Sequence, residues 1–207
     1  HFVVHALDLP GYGDSAGVRR KIPSEEYFAL VESALRERFP GEAPLRIAAF
    51  SFGAVVSSTV APRLGARVRG VSLIGPSGFG LPKVPKKLDT QSYKLAGDDP
   101  EKMRAIMRQN LLAVMLLHPS SIDDDVLAMQ QANVSLHKGM NSRDVSILDV
   151  VPDNLARLAC PVQIIFGDED QVARDELDDR LARCRAVRPD VDVRIAPNTG
   201  HWAMFEN

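Results

Sequence analysis

The sequence predicts an α/β protein with a mostly parallel sheet flanked by helices and interrupted by a helical insertion. Apolar runs rich in β-branched residues alternate with helical patterns, and one long middle segment contains no convincing strand. The runs typical of buried parallel strands are residues 2–7, 68–74 and 162–166, together with the strand that opens segment 45–64. This alternation favours right-handed connections between parallel strands.

In the first half of the chain, a predicted helix precedes the strand that opens segment 45–64, and another precedes the strand at residues 68–74. Ser24 is expected to cap the first helix, whose first turn carries Glu25 and Glu26, where the helix dipole favours acidic groups. Pro40 and Gly41 then end that helix. Because the chain starts almost inside a predicted central strand, we expect an upstream segment that carries further N-terminal strands of the sheet.

Residues 79–151 interrupt the pattern with helices only. Helical spacing covers residues 101–117, and a second helix starts near residue 121. Strands resume at 162–166, a helix follows at 174–187, and the alternating polarity of 191–195 indicates an outer strand. The sequence therefore predicts a core formed by residues 1–78 and 152–207 and a helical cap formed by residues 79–151.

Composition limits the partners that this protein could have. The 207 residues carry a net charge of −2, which gives no electrostatic footprint for nucleic acid. The short basic cluster of Lys83, Lys86 and Lys87 is expected to be a solvated loop. Two cysteines and five scattered histidines predict neither a disulfide framework nor a metal site. We expect a cytoplasmic protein that needs no cofactor and does not contact a membrane. A homodimer is a possible oligomeric state.

Segment 45–64 contains the turn on which the functional prediction depends. Ser51 lies between an apolar run and a helical run, with Ala49 and Gly53 two residues to either side. This is the context of a nucleophile elbow, in which a strained turn exposes the serine hydroxyl. Small residues are expected at Ala49 and Gly53 because strand and helix nearly touch there. The alternative is a small-residue turn with a passenger serine.

Three further titratable residues follow predicted strands in the second half of the chain: Asp168, Asp170 and His201. Sites in parallel α/β sheets form at the carboxyl ends of the strands, so these side chains and Ser51 are expected at one edge. The order serine, aspartate, histidine is that of the α/β-hydrolases. His5 is expected in the core, and His118 and His137 in surface or pocket-lining positions.

Four motifs resemble those of α/β-hydrolase-fold serine hydrolases that carry a helical cap. They are DLPGYGDS at 8–15, AFSFG at 49–53, GDED at 167–170 and GHW at 200–202. The resemblance implies that Ser51 is the nucleophile, His201 the base and Asp170 the acid, with Asp168 as a fallback. It also implies that the backbone N–H of Phe52 is one oxyanion donor and that the other lies upstream of this sequence.

The resemblance extends to carboxylesterases, lactonases and hydrolases of carbon–carbon bonds in ring meta-cleavage products. The last group is similar in residues 200–206 and 110–134, but it carries a cap arginine where Gln130 stands here; Arg143 could substitute. We therefore expect hydrolysis of a small carboxylic ester with an apolar part. The alternatives are carbon–carbon bond hydrolysis of dienoates and a non-catalytic or slow-turnover ligand-binding receptor. The substrate is expected to contact Phe50, Met107, Met115, Met129, Gln130 and Trp202.

Overall fold

The computed structural model describes residues 2–82 and 87–207, so Lys83 and Lys86 of the basic cluster lie outside the described residues. Its sheet contains, within those ranges, four parallel strands: β1 Leu45–Phe50, β2 Val68–Ile74, β3 Val162–Gly167 and β4 Asp192–Ala196. They lie side by side in the order β1-β2-β3-β4. The alternating strand predicted near the end of the chain is β4, which occupies an outer position as expected.

Helices precede β1, connect β1 to β2 and β3 to β4, fill the insertion between β2 and β3, and follow β4. They are α1 Ser24–Arg38, α2 Phe52–Leu64, α3 Pro100–Val114, α4 Asp124–Ser135, α5 Arg143–Ser146, α6 Val151–Ala156, α7 Leu177–Val187 and α8 Ala203–Glu206. One core cluster joins α1, α2, α6 and α7 to the inward-facing side chains of β2 and β3. The sheet residues Leu73, Ile164 and Phe166 are fully buried in it.

Residues 2–7 do not form the strand that the sequence predicts. They have no regular secondary structure and are exposed, with Phe2 77% and Val4 86% exposed. His5, expected in the core, is also exposed and contacts the Phe39 ring at 4.9 Å between centroids. A strand is stabilised by ladder hydrogen bonds to a neighbour, and in the described sheet β1 pairs only with β2. Residues 2–7 have no such partner in the described sheet and therefore form no strand there.

The start of α1 differs from the prediction by one residue. Pro23 takes the N-cap position with a ψ of 138°, and its carbonyl accepts the first helical hydrogen bond from Tyr27 at 3.0 Å. Ser24 is consequently the first helical residue and makes no capping hydrogen bond. Glu25 and Glu26 lie in the first turn, as expected.

The insertion between β2 and β3 has a core of its own. The buried side chains that form it lie on α3, on α4 and in the turns around them: Met107, Leu111, Leu116, Ile122, Val126 and Leu127. An isolated antiparallel bridge pairs Phe79 with Asp149 near the two predicted boundaries of the cap. No helix in the described part of the chain is long and apolar enough to cross a bilayer.

Candidate active site

Ser51 lies at the tip of the turn between β1 and α2. Its backbone has φ 48° and ψ −112°, a combination that is sterically unfavourable for a residue with a side chain. The main chain holds it there: Ser51 N–H donates to the Ile74 carbonyl at 2.9 Å, and its carbonyl accepts from Ala54 N–H at 3.0 Å. The strained conformation is therefore fixed by the neighbouring strand and by the first turn of α2.

Gly53 does not have the steric role that the sequence suggests. A Cβ built on this residue meets no other atom within 4 Å, apart from its chain neighbours and the backbone of its own helix. The expectation that strand and helix crowd this position is therefore wrong for the described residues. Phe52, the intervening residue, packs its ring against those of Tyr12 and Tyr27 at centroid distances of 5.8 and 5.9 Å.

Ser51, His201 and Asp170 form a continuous hydrogen-bonded chain. Ser51 Oγ lies 2.9 Å from His201 Nε2, and His201 Nδ1 lies 2.8 Å from Asp170 Oδ2. An ionised carboxylate only accepts, so Nδ1–H donates to Asp170 and Nε2 is left to accept from the serine hydroxyl. Asp170 is 0% exposed and His201 2% exposed, so water is excluded from the hydrogen bond between them.

Backbone groups orient both members of this buried pair. Asp170 Oδ1 accepts hydrogen bonds from Val172 N–H at 2.8 Å and from Ala173 N–H at 3.1 Å, which leaves Oδ2 for the histidine. On the other side, Gly75 approaches His201 so closely that a Cβ there would lie 3.0 Å from ring atoms Cε1 and Nδ1. The Phe50 ring packs against the imidazole at 4.8 Å between centroids.

Asp168, the fallback acid, lies in a different environment. It is exposed, and its Oδ1 accepts a hydrogen bond from Thr199 N–H at 3.1 Å. Hydrogen bonds from the backbone of Asn198 and Thr199 lower the pKa of this carboxyl below its ordinary value. Asp168 therefore holds the loop that leads to His201, whereas Asp170 contacts the imidazole itself.

His118 and His137 make structural contacts outside the hydrogen-bonded chain of Ser51, His201 and Asp170. His118 Nε2 lies 2.9 Å from the Asn198 carbonyl, and His137 Nε2 lies 2.7 Å from the Met140 carbonyl. Among residues 2–82 and 87–207, no group of three or more histidine, cysteine, aspartate or glutamate side chains is arranged to hold a metal ion.

The predicted substrate contacts divide into two groups. Phe50 touches His201, and Trp202 follows it, packing with Met115 against the core of the cap. Met107 is only 1% exposed inside that core, so it does not line an accessible pocket. The reason is that its face of α3 is turned towards the helical core of the cap, where apolar burial stabilises it.

The remaining two predicted contacts lie on α4. Met129 is 38% exposed, and Gln130 Nε2 donates to the Tyr93 hydroxyl at 3.2 Å. Arg143, the alternative carboxylate partner, is exposed at the start of α5. A cavity of about 520 Å³ in the cap is lined by Ala105, Arg108 and Gln109 and their neighbours, and none of Ser51, Asp170 and His201 lines it.

Sequence reasoning missed three side chains around the site. Ser77 Oγ lies 3.5 Å from Ser51 Oγ, and Ser77 could have been found because it follows β2 at the same edge of the sheet. Gln171 and Glu206 bind backbone groups of the loop that carries His201. Glu206 ends the 200–206 stretch that carries the resemblance, and Gln171 follows the GDED motif. Neither signal indicates the contacts they make, because their partners are main-chain atoms brought together only by the fold.

A parallel sheet with a strained serine turn, an insertion after β2 and a buried aspartate–histidine pair defines the class of the α/β-hydrolases. The model of the family described as "Alpha/beta hydrolase family" matches residues 1–207, so this chain belongs to that family. A comparison with curated protein sequences finds no significant match. The family assignment therefore depends on the family model and on the fold.

Solved structures agree with this fold at low sequence identity. A serine hydrolase from the polyaromatic-hydrocarbon-degrading bacterium Cycloclasticus zankles is 17% identical with a TM-score of 0.67, and the match covers 96% of this chain and 72% of that one. A meta-cleavage product hydrolase from Pseudomonas fluorescens IP01 is 19% identical with a TM-score of 0.64 over the same shares. A deformylase of N-formylmaleamic acid from Pseudomonas putida S16 is 16% identical with a TM-score of 0.65, covering 96% and 75%.

Proposed function

We propose that this protein is a serine hydrolase that cleaves a small carboxylic ester through an acyl-enzyme on Ser51. The observation that carries the proposal is the hydrogen-bonded chain from Ser51 Oγ through His201 to Asp170, at 2.9 and 2.8 Å. A serine hydroxyl at its normal pKa is a weak nucleophile and requires a base within hydrogen-bonding distance. His201 meets that requirement, and Asp170 fixes the tautomer in which Nε2 is free to accept the proton.

In the first half of the reaction, Ser51 Oγ attacks the ester carbonyl carbon while His201 Nε2 takes the hydroxyl proton. The carbonyl π electrons move onto its oxygen to give a tetrahedral oxyanion. The oxyanion then collapses, the bond to the alcohol oxygen breaks, and His201 returns the proton to that leaving oxygen. Asp170 stabilises the imidazolium that exists between these proton transfers.

In the second half, a water molecule attacks the acyl carbon, with His201 again as the base, and Ser51 leaves with its proton restored. The developing oxyanion needs preorganised donors, each worth about 10²–10³ in rate. The N–H of Phe52 is suited to this role, since it opens α2 and the first N–H groups of a helix have no intrahelical acceptor. Its position at the positive end of the helix dipole adds to the stabilisation of negative charge.

The apolar surroundings of the histidine favour an ester with an apolar acyl or alcohol part. Phe50 lies against the imidazole, and Trp202 and Met115 connect the site to the core of the cap. Aromatic and methionine side chains adapt to apolar groups of varied shape. We therefore propose Phe50, Met115 and Trp202 as substrate contacts.

Carbon–carbon bond hydrolysis of a dienoate is the second candidate, favoured by the similarity of the fold to a meta-cleavage product hydrolase. The uncharged Gln130, bonded to Tyr93, stands near the position where that group carries a carboxylate-binding arginine. Ester hydrolysis is therefore the preferred proposal. A slow-turnover receptor of the same fold is the third candidate, and rapid multiple turnover of simple esters would exclude it.

The experiment that tests the proposal is intact-mass labelling of the full-length protein with a fluorophosphonate probe, beside Ser51→Ala and His201→Ala variants. We expect one adduct in the wild type, none on Ser51→Ala, and sharply slower labelling of His201→Ala. A folded wild-type protein that forms no adduct would refute the serine hydrolase mechanism. Turnover of p-nitrophenyl esters and of a meta-cleavage dienoate then separates the two catalytic candidates.

A further inference from the structure

The loop that carries His201 is joined to the cap along a seam of hydrogen bonds, formed between residues 198–202 of the loop and 112–118 of the cap. Trp202 N–H donates to the Met115 carbonyl at 2.7 Å, and His118 Nε2 bonds the Asn198 carbonyl at 2.9 Å. Two further side chains, Gln171 and Glu206, bridge the seam from outside these segments. The position of the histidine is thereby tied to the position of the cap.

Glu206 makes the densest set of contacts in the seam. Its Oε2 accepts from Gly200 N–H at 2.8 Å and from Leu117 N–H at 3.0 Å. Its Oε1 accepts from Leu117 N–H at 2.9 Å, from His118 N–H at 2.9 Å and from the Ser121 hydroxyl at 3.4 Å. One carboxylate therefore holds main-chain N–H groups of the cap and of the residue just before His201.

Gln171 contributes the complementary contacts. Its Oε1 accepts from the N–H of His201 itself at 3.2 Å. Its Nε2 donates to the carbonyls of Leu112 and Leu116 at 3.4 and 3.0 Å. Leu112 lies in the last turn of α3, whose carbonyls lack intrahelical donors, and Leu116 lies just beyond the helix, so both carbonyls can accept from a side-chain amide.

The chemistry of these contacts explains why a carboxylate stands at Glu206. All of its partners are donors, and a carboxylate offers only acceptor sites, with charge-assisted hydrogen bonds stronger than neutral ones. A glutamine there would present an NH₂ group to at least one of the backbone N–H groups. Either Gly200 or the cap would then lose its acceptor.

We infer that Glu206, assisted by Gln171, is a positioning residue that fixes the His201 loop against the cap. The catalytic part of this inference rests on the proposed role of His201 as the base, and the structural part does not. Glu206 touches neither Ser51 nor His201 side-chain atoms in the hydrogen-bonded chain described above. It acts through the backbone of Gly200.

The structural part is tested by hydrogen exchange, read by mass spectrometry, on the full-length Glu206→Gln, Glu206→Asp and Gln171→Leu variants. Exchange should accelerate together in peptides covering 112–121 and 197–202, most in Glu206→Gln, while the strands keep wild-type protection. Glu169→Gln is the matched control, because it makes the same carboxylate-to-amide change at an exposed side chain that pairs with Arg174. Unchanged exchange in both peptides of a folded Glu206→Gln protein overturns the inference, whether or not the protein is an active hydrolase.

The catalytic part is tested by the rate of fluorophosphonate labelling and by ester turnover. A displaced base should slow labelling and lower kcat by about tenfold or more in Glu206→Gln, since misplacement on the ångström scale can cost about 10²-fold. KM should change little, and Glu169→Gln should label within about twofold of wild type. A wild-type labelling rate in Glu206→Gln overturns the positioning role. Absence of labelling in the wild type refutes instead the proposed function.

Discussion

Replacing Gly75 by alanine should damage the site more than the fold. A Cβ at this position would lie 3.0 Å from Cε1 and Nδ1 of His201 and 3.3 Å from its carbonyl oxygen. The backbone cannot retreat freely, because Gly75 N–H is bonded to the Ile165 carbonyl at 2.7 Å. The imidazole must therefore move by a few tenths of an ångström, and this displacement disturbs the hydrogen bond from Nδ1 to Asp170.

Two effects of this substitution can be separated by magnitude. Gly75 has φ 47°, and a left-handed conformation costs a residue with a Cβ about 1–2 kcal/mol, partly offset by the lower entropy of the unfolded chain. We therefore expect a loss of about 1 kcal/mol in the free energy of unfolding. Displacement of His201, the proposed base, should in addition lower kcat/KM for a p-nitrophenyl ester by about tenfold.

Gly97→Ala is the control for backbone strain alone. Gly97 has φ 56°, and nothing lies within 4 Å of a Cβ built there. Its ψ of −131° lies outside the left-handed helical region, so urea unfolding should show a loss of stability at least as large as that of Gly75→Ala. By contrast, kcat/KM should fall only in Gly75→Ala. If the two variants keep the same kcat/KM, the contact between Gly75 and His201 does not determine the position of the base.

Three further predictions concern titratable groups. Asp170→Asn should lower kcat by about 10⁴ with the fold retained, because the amide cannot select the His201 tautomer; ester turnover and circular dichroism check this. Burial raises the pKa of the Cys184 thiol to about 11, so it should resist a disulfide reagent in mildly alkaline buffer until urea unfolds the protein. Hydrogen bonds from the backbone of Asn198 and Thr199 lower the pKa of Asp168. The stabilising contribution of this carboxylate is therefore complete above the ordinary pKa of 3.8 and is lost as pH falls through the lower folded-state pKa. The difference in unfolding free energy between wild type and Asp168→Asn should therefore shrink at acidic pH, and a difference independent of pH would contradict this assignment.

The fold could be predicted wherever an apolar run has a partner in the sheet. Residues 68–74 and 2–7 are similar in character, yet only the first became a strand, β2, because it lies between β1 and β3. Residues 2–7 remain exposed, and in the described sheet β1 forms ladder hydrogen bonds only with β2. A sequence pattern reports the preference of a segment, whereas pairing depends on neighbours that the pattern does not contain.

The sequence could predict which side chains meet where those side chains follow strands directly, whereas their catalytic roles remain proposals. Ser51, Asp170 and His201 could be brought together from sequence because each follows a strand at the carboxyl edge of a parallel sheet. Met107 could not be placed, because a methionine stripe does not reveal which face of α3 meets the rest of the cap. Glu206 lies in the 200–206 stretch that carries the resemblance, but its contacts could not be predicted. Its partners are backbone N–H groups, which every residue other than proline possesses.

The geometry of the hydrogen-bonded chain is set mainly by main-chain contacts. Strand register aligns the ends of β1, β2 and β3 through the pairs Phe50–Ile74 and Ile74–Ile165. Backbone hydrogen bonds hold Ser51, and two backbone N–H groups hold the Asp170 carboxylate. The imidazole of His201 is confined by its close approach to Gly75. Apolar side chains of the helical insertion can therefore vary while Ser51, His201 and Asp170 keep their positions. If the proposed function holds, substrate specificity can vary with those apolar side chains. The seam is the exception, because there the cap contacts the backbone of the histidine loop directly, so a change in the cap that breaks it should alter rate as well as specificity.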